Sequence, residues 1–356
     1  MVAVSALNAL LYCRPGFEKE LAAEVKDAAT ALGVFGYAKA KPDSGHVLFA
    51  PSDPSQLDPL ILGLRLDQLI FARQLLFCSG LVAALPQGDR VSPLLTAAQL
   101  LGPRFSDVIV EAPDTSEGKE LQTLCRKLTS PFAAAARRVH LFGAEAGLSQ
   151  LHVMLLSSSA GYVGFSDPTS ASPWPMGIPR LKFPPGAPSR STLKLAEAIV
   201  TFIPEDAERR RRLRAGMRGV DLGASPGGWT YQLVDRGIHV TAVDNGAIAP
   251  SLMATGLVDH LREDGFRFRP KRSVDWLVCD MVEQPSRVAA LVGEWLSAGL
   301  AREAIFNLKL PMKRRLEEVR RCRDILREAM RGERHELRLK QLYHDREEVT
   351  GYLRRS

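Results

Sequence analysis

The chain has 356 residues, 46% of them hydrophobic and 24% charged, with a formal net charge of +7. That is the composition of a globular protein, long enough for two or three domains, each with its own core. The five cysteines are scattered and form no CxxC pair. This argues against a thiolate zinc site or a disulfide framework and predicts a cytoplasmic chain.

The N-terminus lacks the basic segment of a secretion signal, and Arg14, Glu18 and Lys19 follow closely. Residues 17–32 read as an amphipathic helix with Leu21, Val25 and Ala28 on one face. Residues 45–50, 69–76, 107–111 and 151–156 read as strands, around a helix at 119–127. The order is no clean βαβ alternation, so α+β packing is predicted. The longest uncharged run, 146–166, is broken by Gln150, His152 and serines; it reads as sheet, and no membrane span is predicted. Residues 166–190 hold seven prolines, a density that prevents helix and central strand and predicts a linker or extended strap.

Beyond the strap, strands are predicted at 219–222, 239–243, 266–268, 275–279, 304–308, 336–342 and 347–353. Helices follow most of them, the clearest at 312–330. This alternation predicts an α/β fold with a doubly wound parallel sheet. The short turn Tyr343-His344-Asp345 makes the last strand antiparallel. In such sheets a ligand lies over the carboxyl ends of the strands, where Asp221, Asp244, Asp280 and Lys309 fall.

Residues 220–229 read V-D-L-G-A-S-P-G-G-W: an apolar strand, a glycine-rich turn at Gly223, and a helix opening at Gly227 and Gly228. Those are the parts of a nucleotide-cofactor cradle. A pyrophosphate cradle wants G-x-G-x-x-G, and Ala224-Ser225 stands where its middle glycine would be. S-adenosylmethionine has no phosphate; it needs bare backbone near its methionine part and an acid for its ribose. Asp244, ending the next apolar run, is that acid.

Asp280 and Lys309 each end an apolar run, and a charge at a buried strand end must be paired or solvated in a cleft. A structural ion pair is one reading; deprotonation of a hydroxyl is the other. A lysine at about 10.4 is protonated, and burial with a second cation would lower it. Lys194, on a helix capped by Ser191, is the candidate cation, Asp280 would orient Lys309, and Glu348 would hold Lys194 or the substrate hydroxyl. No metal is called for: His140, His152 and His260 show no ligand spacing.

VDLGASPGGW, VCDM at Asp280, FNLKLPMKRR at Lys309 and HDREEVT at Glu348 resemble the FtsJ-like RNA 2′-O-ribose methyltransferases. That family carries a Lys-Asp-Lys-Glu tetrad, matching Lys194, Asp280, Lys309 and Glu348. The strings SPWPMGIPRLKFP, PSRSTLKL, LREDGFRFRP and QLYHDREEVT narrow the resemblance to a bacterial branch that methylates a cytidine of 23S ribosomal RNA. It runs from about residue 172 to the C-terminus; before that it rests on LYCRPGFEKELAAE. It implies a Rossmann-like catalytic domain over 191–356 behind the 166–190 linker. Ahead of these come a ferredoxin-like segment over 1–80 and a THUMP-like RNA-binding domain over 81–165. It further implies S-adenosylmethionine held by Ser191, Ser225, Pro226, Gly227, Gly228, Asp244, Asp264 and Asp280, with Lys309 as base. Ser225 departs from the cysteine expected in close relatives. The partner would be 23S rRNA, protein-free or in an early assembly particle, met by a monomer.

Charge is uneven. Residues 1–165 hold 14 Lys+Arg against 15 Asp+Glu, and the rest hold 33 against 25, which suits a polyanionic substrate of the second part. Arg190, Lys271, Arg272, Lys313, Arg314 and Arg315 are predicted nearer the cleft than the run Arg209–Arg212 with Arg214. Two other functions compete. A base methyltransferase usually has Asn/Asp-Pro-Pro-aromatic after its fourth strand, where this chain has Asp280-Met281-Val282-Glu283. A non-catalytic assembly factor would have no use for both acid and base.

Overall fold

A computed structural model describes residues 7–355. The chain forms two compact units, Met1–Ile178 and Pro179–Ser356.

The first unit contains β1 (Asn8–Tyr12), α1 (Glu18–Ala31), β2 (Gly36–Ala40), β3 (His46–Pro51), α2 (Leu57–Gly63) and β4 (Gln74–Cys78). There follow α3 (Val91–Gln99), β5 (Val108–Glu111), α4 (Ser116–Arg138), β6 (Gln150–Ser157) and β7 (Ala160–Ser166). All seven strands join one sheet in the order β2-β3-β1-β4-β7-β6-β5, antiparallel except for β5 beside β6. This is the α+β packing the sequence predicts, and the uncharged run becomes the β6–β7 hairpin.

Two predicted elements shift. Residues 69–73 are not strand, because the buried Glu24 carboxylate takes the backbone N–H groups of Ile70 (2.6 Å) and Phe71 (3.0 Å). The helix at 119–127 runs instead over all of α4, passing Pro131, because Cys125, Leu128, Phe132 and Ala136 keep one face buried. Thr115 Oγ1 caps it by accepting from Gly118 N. The first half of the proline strap is tied into this unit: Gln74 accepts from Ser172 N and donates to its carbonyl, and Met176 N donates to Glu111. Glu111 also accepts from Tyr12 and is bonded to His152, so that histidine is a core residue.

The second unit contains α5 (Thr192–Phe202), α6 (Asp206–Arg212), β8 (Arg218–Leu222), α7 (Gly228–Val234), β9 (His239–Val243), α8 (Pro250–Met253) and β10 (Val258–Leu261). It continues with β11 (Val274–Cys279), α9 (Pro285–Ser297), β12 (Ala301–Lys309), α10 (Arg315–Ala329), β13 (His335–Lys340) and β14 (Glu348–Arg355). The sheet order is β10-β9-β8-β11-β12-β14-β13. β8 to β12 are parallel, and β14 is antiparallel to both its neighbours. This is the doubly wound sheet with an antiparallel last strand that the alternation predicts.

The predicted strand at 266–268 is a correction: the third strand is β10, eight residues earlier, and 266–268 lies in a turn. Phe266 and Phe268 imitate strand alternation, but Phe268 packs by Trp295, with ring centroids 6.3 Å apart, and Phe266 lies under the Arg287 guanidinium. Strand order reverses between β8 and β11, so a crevice opens beyond their carboxyl ends. No helix of the described residues is long and apolar enough to cross a membrane.

Candidate active site

The sheet register brings two of the predicted residues together. β14 enters antiparallel to β12 with Lys309 opposite Glu348, so the last residue of one strand faces the first of the other. Asp280 follows the end of β11, the other neighbour of β12, and its N–H is bonded to the Leu222 carbonyl. Lys194 comes from the first turn of α5. Lys309 Nζ donates to Asp280 Oδ1 and, at 2.9 Å, to Glu348 Oε1. Lys194 Nζ donates to Glu348 Oε2 and lies 3.7 Å from Asp280 Oδ2. The four side chains form an alternating ring of two lysines and two carboxylates. Their exposures, from 13% at Glu348 to 20% at Lys309, leave the ring open to a ligand while removing most of its water. Lys194, on the first turn of its helix, is drawn into the site and only 16% exposed.

The electrostatics differ from expectation in one respect. Burial pushes the Lys309 ammonium down, as predicted, but the Asp280 and Glu348 carboxylates outweigh it and hold the group above the ordinary lysine range. At Glu348 burial opposes ionisation, yet Lys309 and Lys194 prevail and hold the carboxyl below its ordinary range. Each amine faces both carboxylates, so attraction to them prevails over the repulsion between the two lysines.

The cradle lies beside this ring. Gly223 has φ +81°, and a Cβ there would come 2.8 Å from Met281, so both the turn and the packing require glycine. A Cβ on Gly228 would strike Ser191 Oγ and Ser189 Oγ; this close approach seats the start of α5, and with it Lys194, on the cradle. Ser191 does not cap α5 through its side chain, as predicted, but bonds Ser189 Oγ at 2.6 Å. Gly227 is left-handed at φ +113°, and Pro226 accepts from Ala249 N. Asp244 accepts from Ser225 N (3.0 Å) on one oxygen and from Gly246 N (2.7 Å) on the other. It is held in place with one lone pair per oxygen in hand for a vicinal diol. That fits the ribose of S-adenosylmethionine. Asp264 is exposed and accepts from Phe266 N.

Three further residues support the site. Asn307 donates to Glu348 Oε2 at 2.9 Å; its signal was a polar residue inside the apolar run before Lys309. Asp221 is buried, accepts from Thr230 Oγ1 at 2.7 Å, and is pushed up to about 7 by that burial. Glu197, one turn after Lys194, accepts from Tyr343 N (2.7 Å), His344 N (2.9 Å) and His344 Nδ1 (2.6 Å), pinning the turn ahead of Glu348. Nothing local in the sequence marks that pairing. The basic residues divide. Arg209 and Arg210 pair with Asp206, Arg211 with Glu208, and Arg212 is buried against Glu303 and Tyr352. Arg315 pairs with Glu347, while Arg190, Lys271, Arg272, Lys313 and Arg314 are exposed.

The chain was compared with known proteins. The family described as RlmM ferredoxin-like domain matches residues 7–76. That described as ribosomal RNA large subunit methyltransferase M, N-terminal, matches 89–167, and FtsJ-like methyltransferase matches 187–320. A ribosomal RNA large subunit methyltransferase M from Methylococcus capsulatus is 54% identical over 351 residues, covering 98% of each chain. Its namesake from Thauera aminoaromatica is 49% identical over 353 residues, covering 99% of this chain and 97% of the relative. That from Haemophilus influenzae is 51% identical over 356 residues, covering 96% and 98%. With a two-lysine, two-carboxylate ring beside a cofactor cradle and half-identity along nearly its whole length, the chain belongs to the ribosomal RNA large subunit methyltransferase M family.

Proposed function

We propose that this protein transfers a methyl group from S-adenosylmethionine to the ribose 2′-hydroxyl of a cytidine in 23S rRNA. The observation that carries this reading is the ring of Lys194, Asp280, Lys309 and Glu348 at adjoining strand ends beside the cradle. Ser191, Ser225, Pro226, Gly227 and Gly228 hold the methionine end of the cofactor, Asp244 its ribose hydroxyls, Asp264 its adenine amine, and Asp280 lines the site. When bound, the cofactor supplies an activated methyl group and a positive sulfonium charge, which weakens a neighbouring amine's hold on its proton.

Lys309 is the base that receives the proton of the 2′-hydroxyl. Asp280 and Glu348 fix its Nζ, and Lys194 neutralises the second carboxylate charge, so the pair does not lock Lys309 as a cation once the substrate displaces part of the ring. Orientation of hydroxyl and methyl group supplies most of the acceleration. The ferredoxin-like segment (1–80) and the THUMP-like region (81–165) guide the RNA to the catalytic domain (191–356) across the strap. The protein acts as a cytoplasmic monomer on protein-free 23S rRNA or an early assembly particle, without a metal.

The test is transfer of labelled methyl to a protein-free 23S rRNA transcript, followed by alkaline digestion. Alkali-resistant labelled dinucleotides from the wild type, reduced about a hundredfold or more by Lys309→Ala with cofactor binding retained, are expected. Label on a base would replace this reading with base methylation. Cofactor binding with no transfer to transcript or precursor particle would replace it with an assembly factor.

A further inference from the structure

The two most exposed large hydrophobic side chains among the described residues are Val282, 91% exposed, and Met312, 85% exposed. Single exposed apolar residues are ordinary on a protein surface. These two stand at matching places. Val282 lies two residues after Asp280, in the loop leaving β11, and Met312 three after Lys309, in the loop leaving β12. β11 and β12 are parallel neighbours, with Cys279 opposite Phe306, so both loops leave the same edge of the sheet side by side.

Both loops are anchored. In the first, Met281 packs on the cradle, where a Cβ on Gly223 or Gly265 would meet it within 3 Å, at 2.8 and 2.9 Å. In the second, Arg314 holds a left-handed φ of +59° at the N-terminus of α10, a conformation costly for a residue with a side chain and typical of functional loops. Lys313 and Arg314 are exposed next to Met312, Arg314 also lying 3.8 Å from the Glu317 carboxylate. An apolar tip beside cations suits a ligand with flat apolar faces joined to phosphates.

The chemistry of the site fixes which part of that ligand arrives. The base of a nucleotide is attached to C1′, adjacent to the C2′ that carries the reacting hydroxyl. A 2′-hydroxyl at Lys309 Nζ therefore brings its base beyond the carboxyl ends of β11 and β12, the end of the sheet from which the loops of Val282 and Met312 leave.

We propose that Val282 and Met312 form an apolar clamp that receives the base joined to the reacting ribose. This rests on the ribose-methylation reading above. The clamp holds base faces by removing them from water, as side chains that grip unstacked RNA bases do, while Lys313 and Arg314 hold neighbouring phosphates. It requires the target nucleotide to be unpaired.

The experiment uses the full chain and two RNAs: a 23S rRNA fragment containing the nucleotide mapped as methylated, and the same fragment abasic at that position. Val282→Ser with Met312→Ser should raise KM for the intact fragment about tenfold, as the loss of two apolar contacts implies, leaving cofactor affinity unchanged. The ratio to wild type should not move with added salt, because the lost contacts carry no charge. On the abasic fragment wild type and variant should share one KM. Wild type that methylates ribose while base loss and the double variant add independently, or while the variant leaves KM alone, overturns the clamp and leaves the reaction standing. Wild type that methylates no ribose, on fragment, transcript or precursor particle, overturns both.

Discussion

In the proposed reaction Lys309 is the base, and its two carboxylate partners hold it protonated until the ring is disturbed. Its ammonium is held above the ordinary range by Asp280 and Glu348 against the opposing effect of burial. A lysine held above its ordinary range is neutral in only a small fraction of free molecules at neutral pH. kcat/KM should therefore rise about tenfold per pH unit from neutrality up to the lysine range, since this parameter reports groups of the free enzyme. Glu348→Gln removes one of the carboxylates and should move the rising limb to lower pH. A pH–rate profile of both proteins checks this; a limb that stays put or moves up would remove Lys309 from the role of base. Stability follows the same sign. The folded value lies above the unfolded one, so the ion ring's contribution through Lys309 is fully present at neutral pH and is lost as pH rises through the folded value. At this scale the sequence was informative where a charge closed an apolar run, as at Asp280 and Lys309. It was silent on Glu197, because that carboxylate's partners are backbone N–H groups 146 and 147 residues away.

Helix α5 meets the β13–β14 hairpin twice, through Lys194 at Glu348 and one turn later through Glu197 at Tyr343 and His344. The second contact sets where the strand begins, and so where Glu348 stands. Glu197→Ala leaves two backbone donors without their acceptor, which costs on the order of 1–3 kcal/mol. It should lower the melting temperature and kcat together, with cofactor affinity nearly intact. Glu197→Gln keeps one acceptor oxygen and should recover part of both. A variant that melts lower but turns over at the wild-type rate would show that the turn serves stability alone. The hairpin was legible because its turn is short and its strands are bounded by charge. β10 was not, because Val-Asp-His-Leu pairs with β9 only and carries apolar residues just at its ends, whereas Phe266-Arg267-Phe268 has the alternation of a strand without a partner. α4 was under-read for the opposite reason: Pro131 looks like a stop, but the buried face continues through it.

The proposed RNA substrate is a polyanion, and the two parts of the chain differ in the charge they can offer its phosphates. Residues 1–165 are nearly neutral, with 14 Lys+Arg against 15 Asp+Glu, and the excess lies in the remainder. Part of that excess is neutralised within the fold, since Arg209 to Arg212 all face carboxylates. What is left for RNA includes Arg190, Lys271, Arg272 and Lys313, all in the second unit. A chain starting at Pro179 keeps every strand of its sheet and every member of the core that runs from Leu195 to Tyr352, so it should fold by itself. Ion release on binding a 23S rRNA transcript should then be almost the same for this shorter chain as for the full one. The slopes of log Kd against log salt should agree within ~0.7, the share of one phosphate on a single strand. Affinity should still fall by a factor that salt does not change, because residues 1–165 bring almost no net charge. A slope that drops by two or more phosphates would place the electrostatic contacts in the first unit, whatever its net charge, and would move the RNA path away from the loops after β11 and β12.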